Sequence, residues 1–141
     1  MLLIRQAKLH DLEAVKTFYS QCRYGGGCQK EDLILMAYLE TQLAGVVRLC
    51  PENKVTVLRG MQVMKPSQGQ GIGRQLLQAC VKQLSDQICY CIPWTHLVEF
   101  YRLGGFDTAL LKEIPDFLQK RFEGYRKRKV EVSIMRRLPI P

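Results

Sequence analysis

The spacing of apolar and polar positions predicts a strand-rich first half and a mixed second half. Leu2 to Gln6 is a short apolar start that suits a strand. His10-Asp11 offers a helix N-cap, and Leu12, Val15, Phe18 and Tyr19 follow at helical spacing. Tyr24-Gly25-Gly26-Gly27 breaks that helix and predicts a flexible loop. Leu33 to Leu39, Leu43 to Cys50 and Lys54 to Met64 are three apolar, partly β-branched runs. Thr41-Gln42 and Pro51-Glu52-Asn53 fall between them as turns, so the three predict an antiparallel meander. Ile72, Leu76, Leu77, Cys80, Val81 and Leu84 share one helix face, which predicts a helix over 72–84 packed on the sheet. Gln87 to Ile92 predicts a fifth strand ended by Pro93. Thr95 to Leu103 predicts a short helix closed by Gly104-Gly105. Phe106 to Leu111 is a further strand. Pro115 to Tyr125 is a helix with Phe117, Leu118 and Phe122 as its apolar face, and Val130 to Met135 is a closing strand.

Chemistry enters at Gln68-Gly-Gln-Gly-Ile-Gly73, between the meander and the long helix. Glycines there leave backbone N–H groups uncovered and let the loop curl around an anion. The helix behind it adds unpaired N–H groups and the positive end of its dipole. A strand, a glycine loop and a helix N-terminus together make a phosphate cradle. A Walker A loop would need Lys-Ser/Thr after the last glycine, and Arg74-Gln75 stand there. A dinucleotide fingerprint beginning at Gly69 would need a third glycine at position 74, which is Arg74, and an acid some way beyond. Gln68-x-x-Gly71-x-Gly73 resembles instead the pyrophosphate-binding motif of the GNAT superfamily of acyl-CoA N-acyltransferases. A second stretch strengthens the likeness. Phe100-Tyr101 followed by Gly105-Phe106 looks like the family's Phe-Tyr-x-x-x-Gly-Phe ending, one strand after the glycine loop. The predicted element order is also the family's, with one extra helix before the last strand.

The resemblance implies a fold, a donor and a set of roles. The fold is α/β, a mixed central sheet of six or seven strands flanked by helices and splayed between strands 4 and 5, formed by residues 1–141 as a single domain. The donor is acetyl-CoA as co-substrate, with a primary amine attacking the thioester directly. Main-chain groups of Met61, Gln62 and Val63 would pair with the pantetheine arm. Amides of Gln68, Gly69, Gln70, Gly71, Ile72, Gly73 and Arg74 would hold the pyrophosphate. Tyr101 stands where the family keeps a tyrosine that protonates the departing thiolate, work that its phenol suits. The general base is open. Many relatives carry a glutamate on the fourth strand, but 54–64 contains no acid; Glu99 and His96 are the leading candidates, with Glu31, Asp32 or a water chain behind them. The family often has an asparagine seven residues before the tyrosine; Trp94 stands there, and Thr95 is the nearest replacement. Tyr24 and Gly26, in the loop 22–29, would line the acceptor pocket.

Composition narrows what remains. At 141 residues one domain is the natural reading, and no apolar run approaches the roughly 18 residues of a membrane span. Arg5 interrupts the apolar start, which argues against a signal peptide. Six cysteines lack Cys-x-x-Cys spacing and the two histidines lie far apart, so no metal is expected. Their places in apolar runs fit free thiols in a cytoplasmic protein. Cys89 and Cys91 invite a covalent acyl-enzyme, but neither has an evident histidine partner and burial disfavours a thiolate.

The net charge is +8, and 120–129 holds six basic residues against Glu123 alone. Such a run is most simply a solvated helix face. It also suits an anionic partner: cofactor phosphates, an acidic or phosphorylated acceptor, or nucleic acid. Phe117, Phe122 and Tyr125 interleave it at helical spacing, which fits core anchoring better than base stacking. Two alternatives to an N-acetyltransferase therefore stand: a non-catalytic acyl-CoA sensor and, further off, a nucleic-acid-binding domain. Edge strands in this family often pair, so the resemblance allows a homodimer without fixing the oligomeric state.

Overall fold

Strands β1 (Leu2–Gln6), β2 (Leu33–Leu39), β3 (Gln42–Glu52) and β4 (Val55–Val63) form the predicted meander, each antiparallel to the next. The computed structural model describes residues 1–139, and the chain divides into two units, Met1–Gln83 and a second beginning at Leu84. In the first unit, Ala44 to Cys50 of β3 are buried without alternation, the mark of a strand covered on both faces. The turn after β3 is tighter than the sequence implied. Pro51 and Glu52 remain in the strand opposite Thr56 and Val55, and Asn53-Lys54 alone make the turn, both with positive φ. A two-residue connection of that hand matches the twist of the flanking strands.

Helix α1 (Leu12–Gln21) buries Val15, Phe18 and Tyr19. Asp11 does not cap it as expected. A 3-10 turn over Leu9–Asp11 intervenes, and the Asp11 carboxylate turns back to accept from the Lys8 N–H at 2.7 Å. Both terminal nitrogens of Arg5 also donate to it, at 2.8 and 2.9 Å. Helix α2 (Ile72–Leu84) has the predicted bounds and buries Ile72, Leu76, Leu77, Cys80 and Leu84. Gly45 of β3 lies beneath its first turns. A Cβ there would stand 2.9 Å from Leu76 Cδ1 and 3.2 Å from Ile72 Cγ2, so the missing side chain is what admits the helix so close to the strand.

The second unit is built on β7 (Met135–Arg137), which pairs antiparallel with β5 (Cys89–Cys91) on one side and β6 (Asp107–Thr108) on the other. A 3-10 turn over Thr95–Leu97 leads into α3 (Val98–Arg102), and α4 (Asp116–Lys127) precedes β7. Strand predictions were least accurate here. β5 is shorter than 87–92. β6 ends at Thr108 because a 3-10 turn forms over Leu111–Glu113. The last strand overlaps 130–135 only at Met135, because Glu131 and Ser133 bond instead to the segment around Trp94, with Thr95 N–H to Glu131 O at 3.0 Å and Ser133 N–H to Pro93 O at 2.9 Å. On α4 only Leu118 is fully buried. Phe117, Phe122 and Tyr125 are half-buried, each beneath an arginine guanidinium. They are therefore not the core anchors that their spacing implied. The architecture is mixed α/β, with seven strands and four α-helices among the described residues.

Candidate functional site

The glycine loop is shaped by its own backbone. After β4, Lys65–Ser67 make a 3-10 turn, Gly69 and Gly71 both take φ near +82°, and α2 begins at Ile72. A side chain at Gly69 or Gly71 would meet nothing within 4 Å, so conformation rather than space requires glycine there. Gln68 closes the loop at its base, its side-chain amide donating to the Val63 carbonyl at 3.0 Å. Among the described residues, the N–H groups of Gly69, Gln70, Gly71, Ile72, Gly73 and Arg74 have no protein acceptor. Six successive open donors at the N-terminus of a 13-residue helix form an anion-binding nest. Arg74 is exposed beside them.

The strand that leads into the loop is bent at Gly60. Register with β3 jumps there, from Val46 opposite Gln62 to Arg48 opposite Arg59, which is a bulge. Gly60 takes φ +68°, and its carbonyl accepts from the Tyr19 phenol at 2.8 Å. A Cβ at this position would stand 2.5 Å from Tyr19 Oη and 3.0 Å from Arg48 Nε. The bulge therefore sets the aim of Met61, Gln62 and Val63, all half-buried, and the Met64 N–H returns to the ladder at Ala44 O, 2.8 Å away.

Arg48 is the centre of this part of the molecule, and the sequence reading passed over it. The guanidinium donates to Asp32 Oδ2 at 2.9 Å, to the Gly27 carbonyl at 2.5 Å and to the Tyr24 hydroxyl at 2.9 Å. It also lies over the rings of Tyr19 and Tyr24. Its Nε is buried without a partner. Burial pushes the Tyr19 phenol well above its usual range, so it remains a donor. Tyr24 is turned inward against Tyr19, with ring centroids 4.7 Å apart, and Gly26 lies over its hydroxyl, 2.4 Å from where a Cβ would be. Tyr24 and Gly26 are thus clamped to the core rather than free to hinge. Asp32 is Arg48's counter-ion, which leaves it poorly suited to act as a base, and Glu31 is exposed. The one sequence signal for the hub was a lone arginine inside the apolar run Leu43–Cys50.

In the second unit Tyr101 is 5% exposed, edge-on to Phe100 and Phe106. The Gly104-Gly105 turn folds back so that the Gly104 and Phe106 N–H groups both reach the Tyr101 carbonyl, at 3.0 and 3.3 Å. Buried Arg137 seals this turn, its Nε donating to Gly104 O at 2.9 Å. Glu99 is exposed and ion-paired with Arg102, which also reaches Asp107. His96 is exposed beside the Trp94 ring. The Thr95 hydroxyl lies 3.1 Å from that of Ser133.

None of the six cysteines is in a disulfide, and four of them are buried. Burial holds the Cys91 thiol far above its usual value, and neighbouring Cys89 adds to this, which disfavours a cysteine acyl-enzyme. Burial also raises the thiols of Cys22 and Cys28, and pushes that of Cys50 up to about 12. Among the described residues no group of three His, Cys, Asp or Glu side chains could hold a metal ion, and no helix is long and apolar enough to cross a membrane.

Residues 6–114 match the family described as the acetyltransferase (GNAT) domain. The chain belongs to the GNAT acetyltransferase family. Solved structures share the GNAT fold at low identity. N-acetylglutamate synthase from Neisseria gonorrhoeae, complexed with coenzyme A and L-arginine, is 17% identical with a TM-score of 0.72; the match covers 99% of this chain but 34% of that one. This GNAT chain thus spans about a third of the synthase's length. A GNAT-family acetyltransferase from Streptococcus pneumoniae is 15% identical with a TM-score of 0.72, over 99% of this chain and 100% of the other. Arabidopsis thaliana Naa50, in complex with the bisubstrate analogue CoA-Ac-MVNAL, is 14% identical with a TM-score of 0.68, over 96% and 97%.

Proposed function

We propose that this chain is an acetyl-CoA-dependent N-acetyltransferase acting on a primary amine, with residues 1–141 working as one acyltransferase domain in the cytoplasm. The observation that carries this reading is the run of six open amides, Gly69 to Arg74, ahead of α2 in a member of the GNAT family. Relatives of the same fold crystallised with coenzyme A or a coenzyme A conjugate support the choice of donor. The amides bind the pyrophosphate, with Arg74 adding charge. Main-chain groups of Met61 to Val63 align the pantetheine as an added strand.

The acceptor amine attacks the thioester carbonyl, a tetrahedral intermediate forms, and the carbon–sulfur bond breaks. Tyr101 donates its proton to the departing thiolate. The ammonium formed on the acceptor loses its proton to His96 or Glu99; Glu99 already spends its carboxylate on Arg102, which favours His96. Tyr24 and Gly26 form a fixed wall on the acceptor side.

Two measurements test this. Acetyl-CoA at about 1 mM should raise the melting temperature through binding to the native state, and an unmoved transition would remove the cofactor assignment. Release of free coenzyme A across a panel of small amines, peptides and proteins should then identify an acceptor. A thermal shift without turnover on any of them would favour the non-catalytic sensor.

A further inference from the structure

Five cations, Lys120 within α4 and four from Arg126 to Lys129 at its end, stand out because none is in an ion pair. Among the described residues Lys120, Arg126, Lys127, Arg128 and Lys129 make no ion pair. Two of the arginines are nonetheless held in place, Arg126 over the Phe122 ring at 5.8 Å and Arg128 over Tyr125 at 5.1 Å. Stacking fixes a guanidinium by its face and leaves its N–H edge for a ligand. Beside them lies a groove of about 430 Å³ lined by Thr95, Phe122, Arg126, Lys129, Val130, Glu131 and Val132. Phe122, Val130 and Val132 are its apolar residues, and Arg126 and Lys129 outnumber Glu131 among its charged ones.

The backbone of Val132, one of the lining residues, is also open on the side away from Trp94. Val132 faces Trp94 across an antiparallel bridge whose hydrogen bonds belong to its neighbours, Glu131 O and Ser133 N. In such a pair the N–H and C=O of the central residue point away from the partner strand. Among the described residues those of Val132 have no backbone partner. A groove with open backbone groups at Val132, valine and phenylalanine on its lining and more basic than acidic side chains has the features that recognise an extended chain.

We propose that this groove is a docking site for an acidic peptide segment of a partner protein, bound in extended form. The segment pairs with the Val132 main chain, sets an aliphatic side chain over Val130 and Phe122, and places its carboxylates against Arg126 and Lys129. Glu131 on the lining repels carboxylates and phosphates alike, so the acidic groups of the segment lie on the Arg126 and Lys129 side. The site needs no acyl transfer and is read by binding alone.

The test uses the full chain, at about 50 mM salt, and a labelled peptide of about twelve residues in which aspartates and glutamates flank two valines. Anisotropy should rise with saturation, and the emission of Trp94, the single tryptophan, should shift. The matched asparagine and glutamine peptide should bind at least about tenfold more weakly. Arg126→Gln should weaken the acidic peptide severalfold, with a melting temperature that falls only slightly. Lys129→Gly should also weaken it; position 129 has φ +61°, which glycine adopts without strain, so a folding defect cannot imitate this loss. Equal affinity for the acidic and neutral peptides, no saturation below millimolar peptide, or tighter binding of a single-stranded oligonucleotide of similar length would each overturn the proposal.

Discussion

Arg48 and Asp32 are 2.9 Å apart with both side chains 1% exposed, an ion pair withdrawn from water. It joins the middle of β3 to the residue before β2 and, through Gly27 and Tyr24, secures the glycine-rich loop after α1. Removing one partner of such a pair strands the other charge. Asp32→Ala should therefore cost about 3–5 kcal/mol in chemical denaturation. The double variant Asp32→Ala with Arg48→Met should be more stable than Asp32→Ala alone, because no buried charge is left unpaired.

Gly60 and Tyr19 give a second prediction. Gly60→Ala places a methyl group on the Tyr19 hydroxyl and holds a non-glycine residue at φ +68°, so a loss of about 2 kcal/mol or more is expected. Tyr19→Phe removes the bond to Gly60 O and the hydroxyl's contact with Arg48, for about 1 kcal/mol or more. If the bulge aims β4 at the cofactor, Tyr19→Phe should also weaken acetyl-CoA binding, measured by calorimetry.

The loop itself predicts a separation of effects. Gln68→Ala breaks the tether to Val63 O but lies on an exposed surface, so stability should barely move while acetyl-CoA affinity falls about three- to tenfold. Gly45→Val should instead lower both together, since its side chain would drive Ile72 and Leu76 outward and carry the helix N-terminus with them.

Tyr101→Phe should reduce kcat by about ten- to a hundredfold with little change in KM for acetyl-CoA, if the phenol acts on the leaving thiolate. A parallel fall in melting temperature large enough to explain the lost rate would mark it as a packing residue, which its burial between Phe100 and Phe106 also allows.

The Arg5–Asp11 pair sets an acid limb. The Arg5 guanidinium and the Lys8 N–H hold the Asp11 carboxyl well below its ordinary value of 3.8. A carboxylate with a depressed native pKa stabilises the fold fully above the ordinary value and loses that contribution as pH falls toward the native one. Melting temperature should thus drop below about pH 4, and Asp11→Asn should lower the plateau near neutrality and flatten the drop.

How legible these features were in the sequence follows from where their information lies. The bounds of α2 could be read residue by residue because the glycines stop the preceding turn and the 3.6-residue period is strong from Ile72 to Leu84. The meander was legible for the same local reason. The Arg48 hub was not, because its partners at positions 19, 24, 27 and 32 come together only through folding, and no periodicity encodes them. Gly60 and Gly45 were hidden inside good strand patterns, where an isolated glycine signals a bulge or a close approach without saying which. The last strand was placed too early, sharing only Met135 with Met135–Arg137, because the β-branched residues at 130–134 carry the stronger strand pattern. Within the observed strand an arginine buries its stem and spends its Nε on a carbonyl, something that a hydropathy pattern scores as surface.

The burial of the thiols has a practical corollary. Dyes that report sulfhydryls react with the thiolate, and at Cys22, Cys28, Cys50 and Cys91 the protein holds that form back. In the folded chain the four buried thiols should therefore stay dark to such a dye, Cys22 and Cys28 should give a bounded early signal, and a steady rise during turnover would come from coenzyme A. The low optical background also makes unfolding visible, as a burst of newly reactive sulfur.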